Sequence, residues 1–344
     1  MLLDGIFAAI TTPFYSYERL YLRKLEANVE HLSRSPLAGM LVLGSTGEST
    51  NLNDEESAEV LKTAAAAAAP TKSLIAGISR ESVRAALELA EVAAKAEYDA
   101  VLVRMPSYYR RSMTDVNLLN YFRAIADRSP LPVVLYNIPQ CVQFDLPVEV
   151  IVELAQHRNI VGIKDSSGDL ERLKKTIALT VNAPKREVKV TPVFEVVTKR
   201  MLKISGRGNA LIGIEGASQS ATVPGLKTRT KEVGFQVMTG AATTVLDSLE
   251  AGATGATLAL ADFAPQAATD IYNSWKQNDA ALARTKQEQV DPVAKRIVHQ
   301  LGIPGVKYAC DFNGYYGGNC RAPFLPLTAA QRSEIEKLLT NMRN

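Results

Sequence analysis

The sequence is poor in the residues from which metal centres and disulfide frameworks are built. Its three histidines, His31, His157 and His299, lie far apart with no HxxxH or HxH pair, which leaves little material for a histidine-based metal site. Its three cysteines, Cys141, Cys310 and Cys320, are odd in number and lack CxxC spacing, against both a disulfide framework and a zinc cluster. No stretch approaches the roughly 18 uninterrupted apolar residues of a membrane span. The opening MLLDGIFAAITTPF carries an early Asp4 and no basic leader. An untargeted, cytoplasmic chain with no membrane partner is expected. A formal charge of only +3 over 344 residues leaves no general nucleic-acid footprint. Metal-free chemistry on small molecules is the class that survives these exclusions.

Short apolar runs alternating with longer helical patterns are abundant. Eight runs read as strands, at 6–10, 40–43, 74–76, 100–103, 133–136, 160–163, 235–238 and 257–260. Helix-like stretches separate them, among them 54–69, 82–95, 115–127 and 147–156. Eight strand–helix units specify an α/β chain closed as a (β/α)8 TIM barrel better than an open sheet. The chain then continues past residue 278 in a largely helical pattern, so a barrel over 1–278 and a C-terminal helical domain over 279–344 are expected. GIPG (302–305) and NGYYGGNCRAP (313–323) read as turns in that second domain. One interval is too long for a barrel crossover, and it coincides with a basic insertion at about 181–232 holding ten Lys or Arg against four Glu. Entering after an intact helix and before the seventh strand, it is expected on the N-terminal face, away from the chemistry.

In such a barrel the residue that closes each strand faces the functional end. Strand two runs into GSTGES (44–49), a turn whose backbone N–H groups and Ser45 and Thr46 hydroxyls make an anion cradle; without a GKS/T ending it suits a carboxylate. Strand five closes on Tyr136, and strand six, in NIVGIKDSSGD (159–169), on Lys164. A lysine after a buried β-branched run is costly unless it is paired, for instance with Asp165, or made neutral, and a neutral amine attacks carbonyls to form a Schiff base. Arginine would serve a static pair better than lysine. An amine nucleophile, a phenol for proton relay and a carboxylate cradle together match a 2-oxo acid such as pyruvate.

GSTGE, YNIP and GIKDSSGD, in this order, resemble the dihydrodipicolinate synthase and N-acetylneuraminate lyase family of pyruvate-dependent class I aldolases. The similarity runs from ITTPF (10–14) to CRAP (320–323), the basic segment apart. The resemblance implies catalytic Lys164 and Tyr136, with pyruvate held covalently on Lys164 as a Schiff base and no other cofactor or metal. It implies that Ser45 and Thr46 bind the pyruvate carboxylate and that Ser166 and Gly240 complete the substrate-binding set. Tyr109 of PSYYR (106–110) matches a tyrosine that reaches a neighbouring subunit's proton relay, so a homo-oligomer, a dimer of dimers, is implied. The synthases resemble YNxPxRTG, whose arginine holds the carboxylate of the aldehyde partner, whereas here YNIPQCVQ places Cys141 at that position. SYYR, LGIPGVK and NGYYGGNCRAP resemble 4-hydroxy-2-oxoglutarate aldolases more closely. A 4-hydroxy-2-oxo acid aldolase acting on a 2-oxo acid and an aldehyde is therefore the leading expectation. A dihydrodipicolinate synthase is the alternative. A non-catalytic 2-oxo acid binding protein is a third reading, disfavoured because mere binding requires neither Lys164 nor Tyr136.

Overall fold

In the computed structural model, which describes residues 1–208, 226–340 and 342, all eight expected strands occur and close into one parallel barrel. In chain order the strands are β1 (Gly5–Ala9), β2 (Gly39–Val42), β3 (Ser73–Gly77), β4 (Ala100–Arg104), β5 (Val133–Asn137), β6 (Ile160–Asp165), β7 (Arg186–Val190), β8 (Arg229–Val233), β9 (Gln236–Thr239) and β10 (Gly255–Leu258). The barrel runs β1-β10-β9-β6-β5-β4-β3-β2, while β7 and β8 form a separate two-stranded sheet. Barrel strands read as unbroken apolar runs because one face fills the interior and the other lies under helices. The helices alternate with them as expected; Asp54–Ala67, for example, starts at a reciprocal cap in which Asn53 and Glu56 satisfy each other's backbone N–H. Most strand boundaries lie within one residue of the sequence reading, and two strands differ by two residues. The last strand lies at Gly255–Leu258 rather than 257–260, and Leu260 already opens a short helix, Leu260–Phe263. The sixth strand runs on through Asp165, which places Lys164 within the sheet.

The long connection folds into an element the sequence reading lacked. β7 and β8 form an antiparallel pair, with Arg186 opposite Val233, and the connection between them includes the helix Lys199–Gly208. Arg186 donates to the carbonyls of Arg158 (2.8 Å), His157 (3.0 Å) and Ile160, all at the start of β6. Arg200 donates to the carbonyls of Ala65, Ala68 and Lys72 ahead of β3, and the Lys199 N–H donates to the Asp99 carboxylate ahead of β4 at 2.9 Å. Val188 and Val190 pack on Leu2, ahead of β1. The described part of the segment thus stands on the N-terminal ends of the strands, opposite Lys164; residues 209–225 lie outside the described set.

Beyond the barrel the chain forms Ala280–Val293, a π-helical stretch Ala294–Gln300, Gly302–Phe312 and Ala329–Leu339. GIPG is not the turn expected: it is the first turn of Gly302–Phe312, where Pro304 loses no intrahelical hydrogen bond. NGYYGGNCRAP is non-helical and folds back on the barrel, Tyr316 exchanging two 2.8 Å hydrogen bonds with Asn28. Two buried polar contacts fasten these helices to the functional end. Lys307 pairs with Glu48 at 2.6 Å, both essentially without solvent exposure, and also donates to the Asn319 carbonyl at 2.8 Å. Asp262, after β10, accepts from the Thr11 N–H at 2.9 Å and from the Cys310 thiol at 3.4 Å. Burial pushes the Asp262 carboxyl up to about 6 and the Cys310 thiol well above its ordinary range.

Candidate active site

Side-chain alternation splits the YN and KD pairs of β5 and β6 into an inner and an outer set. The inner pair is Tyr136 and Lys164, Cα partners across the two strands. The Lys164 amine donates to the Tyr136 hydroxyl at 3.3 Å and lies 4.4 Å from its ring centre. The outer pair, Asn137 and Asp165, is structural. Asp165 takes Arg172 at 3.0 Å, Asn137 at 3.1 Å and the Ser167 N–H at 2.8 Å, while Asn137 also holds Asp145 and the Leu146 N–H. The pairing of Lys164 with Asp165 considered from sequence is therefore absent. Among the described residues no carboxylate lies within ion-pair distance of Lys164, although it is only 5% exposed.

The GSTGE loop is held from behind by its last residue. Its backbone turns on the Gly47 to Gly44 and Glu48 to Ser45 hydrogen bonds, of 3.0 and 3.1 Å, between two non-glycine residues at positive φ, Leu43 (60°) and Glu48 (54°). Such conformations persist only where surroundings over-determine them. Here the Glu48 carboxylate is fixed by Lys307, Asn51 and the Arg321 N–H. The N–H groups of Ser45 and Thr46 donate to no acceptor among the described residues. Next door, any side chain at Gly77 would sit 2.0 Å from the Leu43 carbonyl, so glycine there lets β3 approach the loop.

Ser45 and Tyr136 line one cavity of about 240 Å³, together with Arg104, Ser79, Ser107 and Cys141. Ser166 and Gly240, the residues directly after β6 and β9, flank Lys164: a Cβ on Gly240 would fall 1.8 Å from the Ser166 hydroxyl and 2.9 Å from Lys164 Cε. Thr46 is half-buried in the loop but does not line the cavity, and Tyr109 lies outside it, 68% exposed and edge-on to Tyr108. Cys141, exposed in the single chain, has its thiol pushed up by the protein packed around the sulfur, against the Ser45 hydrogen bond and the charges of Arg104 and Lys164. Sequence reasoning missed Arg104. The signal was present: a charged residue directly after the buried run Ala100–Val103 is the pattern that singled out Lys164.

With barrel and site in view, comparison with known proteins gives the class. A model of the dihydrodipicolinate synthetase family matches residues 2–186 and 207–342, leaving out only part of the basic segment and the chain ends. The chain belongs to that family, and with it to the lyases. The 4-hydroxy-tetrahydrodipicolinate synthase of Methanothrix thermoacetophila is 27% identical over 338 residues, covering 98% of this chain and 96% of that one. The L-threo-3-deoxy-hexylosonate aldolase of Hypocrea jecorina is 28% identical over 342 residues, covering 97% and 94%. Among solved structures, the chloride-inhibited dihydrodipicolinate synthase of Acinetobacter baumannii, complexed with pyruvate, aligns over 99% of both chains with a TM-score of 0.79 and 25% identity. No helix among the described residues is long and apolar enough to cross a membrane.

Proposed function

We propose that the protein is a class I aldolase in which Lys164 forms a Schiff base with pyruvate. The observation that carries this is a buried amine with no carboxylate partner among the described residues and a phenol 3.3 Å away. The amine adds to the pyruvate ketone and water leaves, giving an iminium; loss of a methyl proton gives an enamine. Its carbon attacks an aldehyde to form the new carbon–carbon bond, and hydrolysis returns the amine. Tyr136 is the proton relay, the GSTGE loop with Ser45 and Thr46 receives the pyruvate carboxylate, and Ser166 and Gly240 border the second substrate. Gly240 keeps that border open, since any side chain there would occupy the space beside Lys164. Tyr108 and Tyr109, 80% and 68% exposed, suit contact with a second copy, where Tyr109 joins the neighbour's relay in a homo-oligomer.

For the aldehyde, we favour a 4-hydroxy-2-oxo acid aldolase, because the short Cys141 stands where a synthase would present a charged fork. The synthase reading is supported by relatives that bear that name at 27% identity. Incubation with pyruvate and borohydride tests the common core. A single reduced pyruvate adduct on Lys164, absent in Lys164→Ala, is expected; activity that survives Lys164→Ala would overturn the mechanism.

A further inference from the structure

We propose that Arg104 selects the second substrate, binding the carboxylate of the aldehyde that the Lys164 enamine attacks. The inference rests on the Schiff-base reading above. Arg104, Tyr136 and Lys164 are successive Cα partners across β4, β5 and β6, one row at the C-terminal end of the barrel. Side chains in register on neighbouring strands share a face, and Arg104 accordingly lines the cavity with Tyr136, Ser45 and Cys141. Its guanidinium is already fixed on one side. One Nη donates to the Met105 carbonyl (2.8 Å) and the Ser107 hydroxyl (3.2 Å), and the other to Glu81 (3.0 Å). The Nε–H donates to no acceptor among the described residues. Glu81 spreads its own charge over the Ser107 and Tyr108 N–H groups, at 2.9 and 3.0 Å.

A guanidinium braced in this way is a preorganised donor for a planar anion. Cys141, across the same cavity, is short and neutral and leaves the space in front of it open. The positive charge that the sequence comparison found missing at position 141 therefore enters the mouth from β4 instead.

Purified Arg104→Gln and Arg104→Lys, with the native chain, are assayed with pyruvate and either glyoxylate or glycolaldehyde, which has a neutral hydroxymethyl group in place of the carboxylate. For Arg104→Gln, kcat/KM with glyoxylate is expected to fall about 10- to 100-fold, mostly through KM, with a much smaller fall for glycolaldehyde. Arg104→Lys should recover part of the glyoxylate preference, and pyruvate should still be trapped on Lys164 by borohydride in both variants. An equal loss for the two aldehydes would make Arg104 a brace for the 105–108 turn and overturn the proposal. If Arg104→Gln does not fold, Arg104→Lys decides: an unaltered glyoxylate-to-glycolaldehyde ratio overturns it. Failure to trap pyruvate in the native chain, by contrast, strikes the Schiff-base reading and not the assignment of Arg104.

Discussion

Two lysines are buried at the functional end of this barrel, and their surroundings differ in kind. Lys307, from the C-terminal helices, meets the Glu48 carboxylate at 2.6 Å and a carbonyl at 2.8 Å. Lys164, at the end of β6, meets one phenol at 3.3 Å. The first has its charge answered and fixes a loop. The second has no carboxylate partner among the described residues, which is the feature on which the proposed Schiff-base role rests. Burial of a charged residue is therefore not by itself the mark of a reactive group; the proposal for Lys164 rests on burial without a counter-charge.

The sharpest test of this contrast is chemical. Tyr136→Phe should lower kcat by about 10² to 10⁴, the usual worth of a positioned proton donor, while borohydride still traps pyruvate on Lys164. An unaltered kcat would remove the phenol from the mechanism.

Stability should rank the two lysines the other way round. Lys307→Met leaves Glu48 charged and buried and is expected to destabilise by about 3–5 kcal/mol in urea unfolding, with much of the loss recovered in the double variant Lys307→Met, Glu48→Gln. Lys164→Met removes an amine with no counter-charge and should be neutral or stabilising. If the two single variants prove equally destabilising, the distinction drawn here collapses.

A smaller, pH-dependent effect belongs to Asp262, whose carboxyl burial raises from 3.8 to about 6. A raised acid pKa means that the folded chain holds the proton more tightly, so this contribution to stability is present below about pH 4 and lost as pH rises through about 6. It amounts to about 3 kcal/mol at most. In Asp262→Asn the difference in unfolding free energy from the native chain should shift in favour of the variant across that window. A difference that does not vary with pH would show that Thr11 and Cys310 hold Asp262 without strain on its charge.

The barrel was legible because parallel strands covered on both faces are written as contiguous apolar runs. Lys164, Tyr136 and the GSTGE loop were legible because each closes such a run. What escaped depends on distance or on continuity. Glu48 sits inside a recognised motif, but its partner Lys307 lies in another part of the sequence, and no local pattern joins them. The last strand was placed two residues late because its apolar run continues through Ala259 and Leu260 into a helix without a change of composition. GIPG looked like a turn because glycine and proline break helices, yet proline is tolerated in a helix's first turn. β7 shows a short alternation in REVKV, but three of five residues in each of REVKV and RTKEV are charged, so neither reads as an apolar run.

That pair of strands has a consequence for how the chain assembles. Arg186 stands opposite Val233, so the chain that leaves toward β7 comes back toward β9 at a neighbouring point. The entropy of closing such a loop grows only with the logarithm of its length, by about 0.6 kcal/mol per doubling. β6 and β9 can therefore find each other almost as readily as strands joined by an ordinary crossover, and the order in which the barrel zips up is expected to be indifferent to how much chain the hairpin carries.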